Sequence, residues 1–175
     1  GFNIMSSVFS NHLTIAGTNF PISIFWWMLF GVLGYFLLKH TQFGNWIFAT
    51  GASQESAKLM GIPIQKVKIS LFMLTAFCSW FIAVTQVTTF GGADVLRGEQ
   101  KEFIAIIAVV IGGTLLTGGY GSIIGAMIGA LIFGIVKQGI IFAGVDADWF
   151  QVFMGVMLVS AVLVNGAFRK KYAQG

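Results

Sequence analysis

The stretch GGTLLTGGYGS, residues 112–122, holds five glycines and no charge within one of the most apolar parts of the chain. It could wrap a phosphate, break a helix, or let two helices touch, and the choice decides the fold. A P-loop requires Gly, four residues, then Gly-Lys-Ser/Thr. Gly113 and Gly118 have that spacing, but Gly119 and Tyr120 stand where the lysine and the hydroxyl residue belong. Nothing there reaches a terminal phosphate. Gly119, Gly121 and Gly125 do not fit a dinucleotide fingerprint, and no strand–helix–strand pattern surrounds them. The packing reading fits better. Gly121, Gly125 and Gly129 recur every four residues, with Ala126 and Ala130 beside them. That spacing lays small residues along one helix face. In a membrane such a face lets helix backbones approach closely. Gly112, Gly113, Gly118 and Gly119 then form a tight break between two helices.

Composition leads to the same solvent. The chain has 175 residues, of which 57% are hydrophobic and 9% charged, against about 25% charged in a soluble domain. So few charges cannot cover a surface in water. The expected class is a multi-pass helical membrane protein. The net charge of +4 would suggest nucleic acid in a soluble chain; here it reads as membrane orientation, and no nucleic-acid partner is expected. One cysteine, Cys78, excludes an internal disulfide. The chain opens at Gly1 without Met and without a signal-peptide pattern.

Apolar runs mark the spans. The first covers residues 22–38, with Trp26 and Trp27 near its start, and ends at Lys39 and His40. A polar segment follows, residues 41–68, carrying Glu55, Lys58, Lys66 and Lys68. Pro63 disfavours helix at Ile62, so a helix over 53–60 should stop there. Further runs cover 69–90, 103–117, 122–145 and 149–164, with polar loops at 91–102 and 146–148. Residues 1–21 read as a membrane-edge loop with a short interfacial helix. The expectation is an all-α transmembrane bundle of about five spans, with a glycine-rich break.

Lysine and arginine set the orientation. If 39–68 is cytoplasmic, that loop and the tail hold Lys39, Lys58, Lys66, Lys68, Arg169, Lys170 and Lys171, against only Arg97 and Lys101 outside. Both basic segments lie on one side only if the 103–117 run crosses, which places 118–121 near the cytoplasmic face. The run is short, since a span needs about 20 residues. A broken or recessed segment lined by protein reconciles the two.

Within the polar segment, ESAKLMG (55–61) is a short amphipathic helix followed by a break. Taken alone it reads equally well as a solvated connector. Taken with its surroundings, it resembles a known family. TQFGNWIFATGASQESAKLMGIPIQKVKI (41–69) and FIAIIAVVIGGTLLTGGYGSIIGAMIGALIFGIVKQGI (103–140) are similar to the membrane permease of ribose-type sugar ABC importers. The order of elements matches from about Gly17 onward. The resemblance covers the C-terminal half of such a permease, so 1–175 is expected to be one transmembrane domain whose N-terminal spans are missing.

The resemblance implies a cytoplasmic coupling helix with the pattern Glu-Ala-Ala, three residues, Gly. Glu55, Ser56, Ala57, Lys58 and Gly61 match it, Ser56 replacing an alanine. It further implies a bacterial inner-membrane subunit with a cytoplasmic C-terminus, which is not itself an enzyme and needs no cofactor. Its partners would be an ABC ATPase, a second permease chain and a periplasmic sugar-binding protein. Permeases of the same superfamily for branched-chain amino acids or nucleosides are the alternative. An ATPase-independent channel or carrier is the alternative of another class. Lys137 and Gln138 lie on the fourth run. They read either as part of the translocation path or, for Lys137, as a snorkelling side chain on a helix ending at Gly139. The family is uncharged there, so Lys137 is a departure. His12 and His40 are too isolated to hold a metal, and no nucleophile–base set is evident.

Overall fold

The computed structural model describes residues 9, 12–15, 18–144, 149, 152–160 and 162–163. It is helical, as composition demands, apart from one antiparallel hairpin. Strands β1 (His12–Ile15) and β2 (Thr18–Pro21) pair with His12 opposite Pro21. Of the short interfacial helix expected within residues 1–21, Phe9 is helical, whereas residues 12–15 and 18–21 are strand. Thr14, Ile15, Thr18 and Phe20 are residues that favour strands.

Three helices are long and apolar enough to cross a membrane: α1 (Ile22–His40), α4 (Ile64–Phe90) and α6 (Ile123–Phe142). Of the about five spans expected, three helices of spanning length lie among the described residues. Helix α4 begins at Ile64, five residues before the apolar run, because Pro63 suits a helix start. Its 27 residues give about 40 Å of length. Large apolar side chains are exposed all round it: Phe72, Met73, Leu74 and Ile82 are 76, 69, 44 and 55% exposed. Such a helix requires an apolar surround. Four of its hydroxyls bond within the helix. Thr75 and Ser79 donate to the carbonyls of Leu71 and Thr75 at 2.9 Å, and Thr85 and Thr89 to those of Phe81 and Thr85. They therefore carry no unsatisfied donor into lipid.

The polar segment is more ordered than composition suggests. It holds α2 (Gln42–Ala52) and α3 (Gln54–Leu59). Thr41 makes the corner before α2: its hydroxyl donates to the Leu37 carbonyl of α1 and accepts from the Gly44 amide.

Helix α5 (Lys101–Ile111) is only 11 residues long, roughly 16 Å. That is about half a bilayer core. Its length fits the broken segment expected from the sequence, and protein covers its second half, while Lys101, Glu102, Phe103, Ala105 and Ile106 are exposed. Ile107, Ala108 and Val110 are buried on it, and Ile107 and Ala108 join Phe133 of α6 and Met154 in one core. Residues 152–160 are helical and contribute Met154, Met157 and Leu158 to that core.

Candidate functional site

The glycine loop sits where four elements converge. Helices α5 and α6 form an antiparallel hairpin, for Ala108 faces Gly129, Gly112 faces Gly125 and Thr114 faces Gly121. A methyl group on Gly129 would lie 2.7 Å from the Gly112 amide nitrogen and would overlap the Ala108 carbonyl oxygen. One on Gly112 would meet the Gly125 carbonyl. Of the expected small-residue face, Gly125 and Gly129 thus touch backbone. Gly121 does not: it packs on the Thr114 side chain, so the helix-to-helix seam starts one step later than the spacing suggested. The opposite side of α6 meets α1, where Gly31 and Gly34 receive Met127 and Ile123.

Gly118 and Gly119 turn the loop with φ of +85° and +79°, a region that side chains other than Gly rarely enter. The loop is held by its own bonds. The Leu115 amide donates to the Tyr120 carbonyl at 3.1 Å, and the Gly118 amide to the Leu115 carbonyl at 3.0 Å. Ser122 then caps α6, accepting from the Gly125 amide at 3.0 Å. Nothing here cradles a phosphate; the glycines serve close approach and turning.

The second sequence-derived group, Glu55 to Gly61, forms a helix locked at both ends. Ser53 accepts from the Ser56 amide at 3.3 Å, and Glu55 lies in the first turn, where the helix dipole favours a negative charge. At the other end the Ile62 amide donates to the Ala57 carbonyl and the Gly61 amide to the Lys58 carbonyl, each at 3.0 Å. These are the two bonds of a Schellman stop, and Gly61 adopts φ +77° to make them. Ala57 is fully buried, which explains why a small residue is needed there. Glu55, Ser56, Lys58 and Gly61 face outward. Lys68 of α4 reaches back to Gln54, donating from Nζ to Oε1 at 3.1 Å. Replacing Ser53 by alanine is expected to weaken α3 by about 1 kcal/mol. Hydrogen exchange of the α3 amides should then quicken roughly fivefold.

Several residues beside these two groups carry no signal in the sequence. Leu59 and Met60 are 90 and 66% exposed at the tip of α3, an apolar point in a polar segment. Gly51 and Ala52 pack directly on Gly118 and Gly119, so the break and the short helix lie side by side. An open cavity of about 560 Å³ adjoins them, lined by Thr50, Gln54, Lys68, Thr114, Gly119 and Ser122 among others. The snorkelling reading of Lys137 needs correction: α6 does not end at Gly139 but runs to Phe142. A glycine inside a helix costs about 1 kcal/mol relative to alanine, too little by itself to end it. Lys137 is half-buried and Gln138 exposed. The structure does not bring either to the glycine break.

Residues 1–162 match the family described as branched-chain amino acid transport system / permease component. The chain is 35% identical over 131 residues to a ribose import permease of Escherichia coli, covering 75% of this chain and 41% of that protein. It is 33% identical over 136 residues to a fructose import permease of Bifidobacterium longum, covering 78% and 40%. It is 32% identical over 155 residues to a xylose transport permease of Haemophilus influenzae, covering 89% and 41%. The chain thus spans less than half the length of each of these relatives. No solved structure matches.

Proposed function

Because the chain belongs to the family of branched-chain amino acid transport system permease components, we propose that it forms the C-terminal part of an ATP-driven importer's permease, moving a monosaccharide. The observation that carries this reading is α3. It is a six-residue helix, capped at both ends, seated on buried Ala57 and exposing Leu59 at its tip. A self-contained channel has no use for such a rigid external lever. An importer driven by a separate ATPase needs one to receive rigid-body motion.

In this reading the chain is one transmembrane domain, residues 39–68 and the C-terminus are cytoplasmic, and α3 docks on an ABC ATPase. A second permease chain completes the path, and a periplasmic binding protein delivers the sugar. Lys137 and Gln138, within α6, would line polar space in the bundle, since charges in spans avoid lipid. The sugar assignment follows the ribose, fructose and xylose permeases.

The test is uptake by the full-length protein in proteoliposomes with its ATPase and binding protein. ATP-dependent accumulation of labelled ribose, fructose or xylose is the expected result. Uptake of leucine alone would replace the sugar by a branched-chain amino acid. Flux without ATP would overturn the importer. Leu59→Asp should cut ATPase co-purification by roughly tenfold, as burying an unpaired carboxylate opposes docking.

A further inference from the structure

Two segments far apart in the chain touch at glycines. A methyl group on Gly51 would lie 2.7 Å from the Gly119 amide nitrogen, and one on Gly119 would lie 2.9 Å from Ala52 Cβ and 3.0 Å from its Cα. Gly51 and Gly118 meet backbone on backbone, and the one side-chain atom at Gly119 is a β-carbon, which has no rotamer. On one side it continues into α3, because the Ser53 amide bonds the Ala49 carbonyl of α2 at 3.1 Å while its hydroxyl caps α3. On the other side it continues into the folded loop, and from there into α5 and α6.

We infer that Gly51, Gly118 and Gly119 form the joint that carries a displacement of α3 into the break between α5 and α6. The inference rests on the reading of α3 as the ATPase contact. These are positioning residues; they touch no substrate. A close-packed contact without rotamers transmits a shift instead of absorbing it. The loop beyond it can yield, since Gly113, Gly118 and Gly119 all hold positive φ and hinge motion is absorbed at a few such loop positions.

Two further observations favour a second arrangement. Thr50, next to the joint, is 8% exposed, and its hydroxyl has no hydrogen-bond partner among the described residues. A buried unsatisfied group is costly, so a shift that gives it a partner is favoured. The adjoining cavity of about 560 Å³ leaves room for that shift. The half-helix α5, too short to be held by lipid alone, is the element such a shift would tilt.

The experiment is amide hydrogen exchange on the wild-type transporter, without its ATPase and assembled with it, the assembly with and without a non-hydrolysable ATP analogue. Exchange in 53–61 and in 113–121 should change together, each by about fivefold or more, the low end of common coupling strengths. A change in 53–61 with 113–121 unmoved would overturn the joint. No protection of 53–61 by the ATPase would instead overturn the docking reading itself. Gly51→Ala gives the second measurement: uptake should fall about tenfold or more while ATP hydrolysis stays within twofold. Uptake at the wild-type level would overturn the joint. If that variant fails to reach the membrane, the wild-type exchange decides.

Discussion

Gly61→Pro is expected to abolish ATP-driven uptake, with the protein still present in the membrane. Gly61 has φ +77°, and a methyl group there would meet nothing within 4 Å. The glycine is therefore required for backbone conformation, not for space. Proline fixes φ near −65° and has no N–H. It loses the bond from the Gly61 amide to the Lys58 carbonyl and displaces the Ile62 amide from the Ala57 carbonyl. The cost at such a position is roughly 3 kcal/mol or more, and a six-residue helix has no reserve to meet it. The spans α1, α4 and α6 do not depend on this stop, so insertion should survive. Glu55→Lys tests the other end of the same helix. It puts a positive charge in the first turn, where the dipole disfavours it by about 0.3–1 kcal/mol, and reverses the charge offered to the ATPase. Uptake should fall by at least about tenfold in that variant. Membrane content by immunoblot and uptake of labelled sugar, measured together, separate lost coupling from lost protein. Undiminished uptake in both variants would remove α3 from the mechanism.

How much of this was legible beforehand follows from what each signal measures. Membrane class and the three long spans were legible because hydrophobicity is summed over many residues. The short helix α5 agrees with the apolar run at 103–117, which is too brief for a span and ends in the glycine break. The small-residue seam was read from the spacing of Gly121, Gly125 and Gly129, and two of the three make the backbone contact. The contact of Gly51 with Gly118 and Gly119 was illegible. Each partner lies on its own segment with no periodic pattern, and only tertiary structure brings them together. The polar segment hid α2 because Gln42, Asn45 and Thr50 weaken a helical pattern that tertiary contact then restores. The run expected at 122–145 lies close to the observed α6; only the snorkelling reading of Lys137 put a stop at Gly139, where a single glycine is too weak a stop, and the cap lies beyond Phe142, where Ala143 and Gly144 close the last turn. The hairpin before α1 was missed because four-residue strands are too short for alternation to emerge.

Gly129→Leu should be the most damaging substitution to the bundle itself. Gly129 is buried where α6 crosses α5. Its nearest neighbours are the Ala108 carbonyl and the Gly112 amide and Cα, all backbone, so no rotamer change can make room. Overpacking where side chains can adjust costs about 1–3 kcal/mol; here α5 must move as a body. That movement separates Ile107 and Ala108 from Phe133 and Met154, the one hydrophobic core found among the described residues. Half a bilayer in length, α5 cannot then remain in lipid alone, because its terminal carbonyls would be unsatisfied there. The expected result is a fall in apparent Tm of the solubilised protein by roughly 10 °C, about 3 kcal/mol or more at this chain length. Gly134→Ala is the matched comparison on the same helix. A methyl group there meets nothing within 4 Å, and alanine favours helix over glycine by up to about 1 kcal/mol, so Tm should hold or rise slightly. Equal losses in the two variants would mean that the helix resents any side chain on α6, and the α5–α6 seam would not be what holds the broken segment in place.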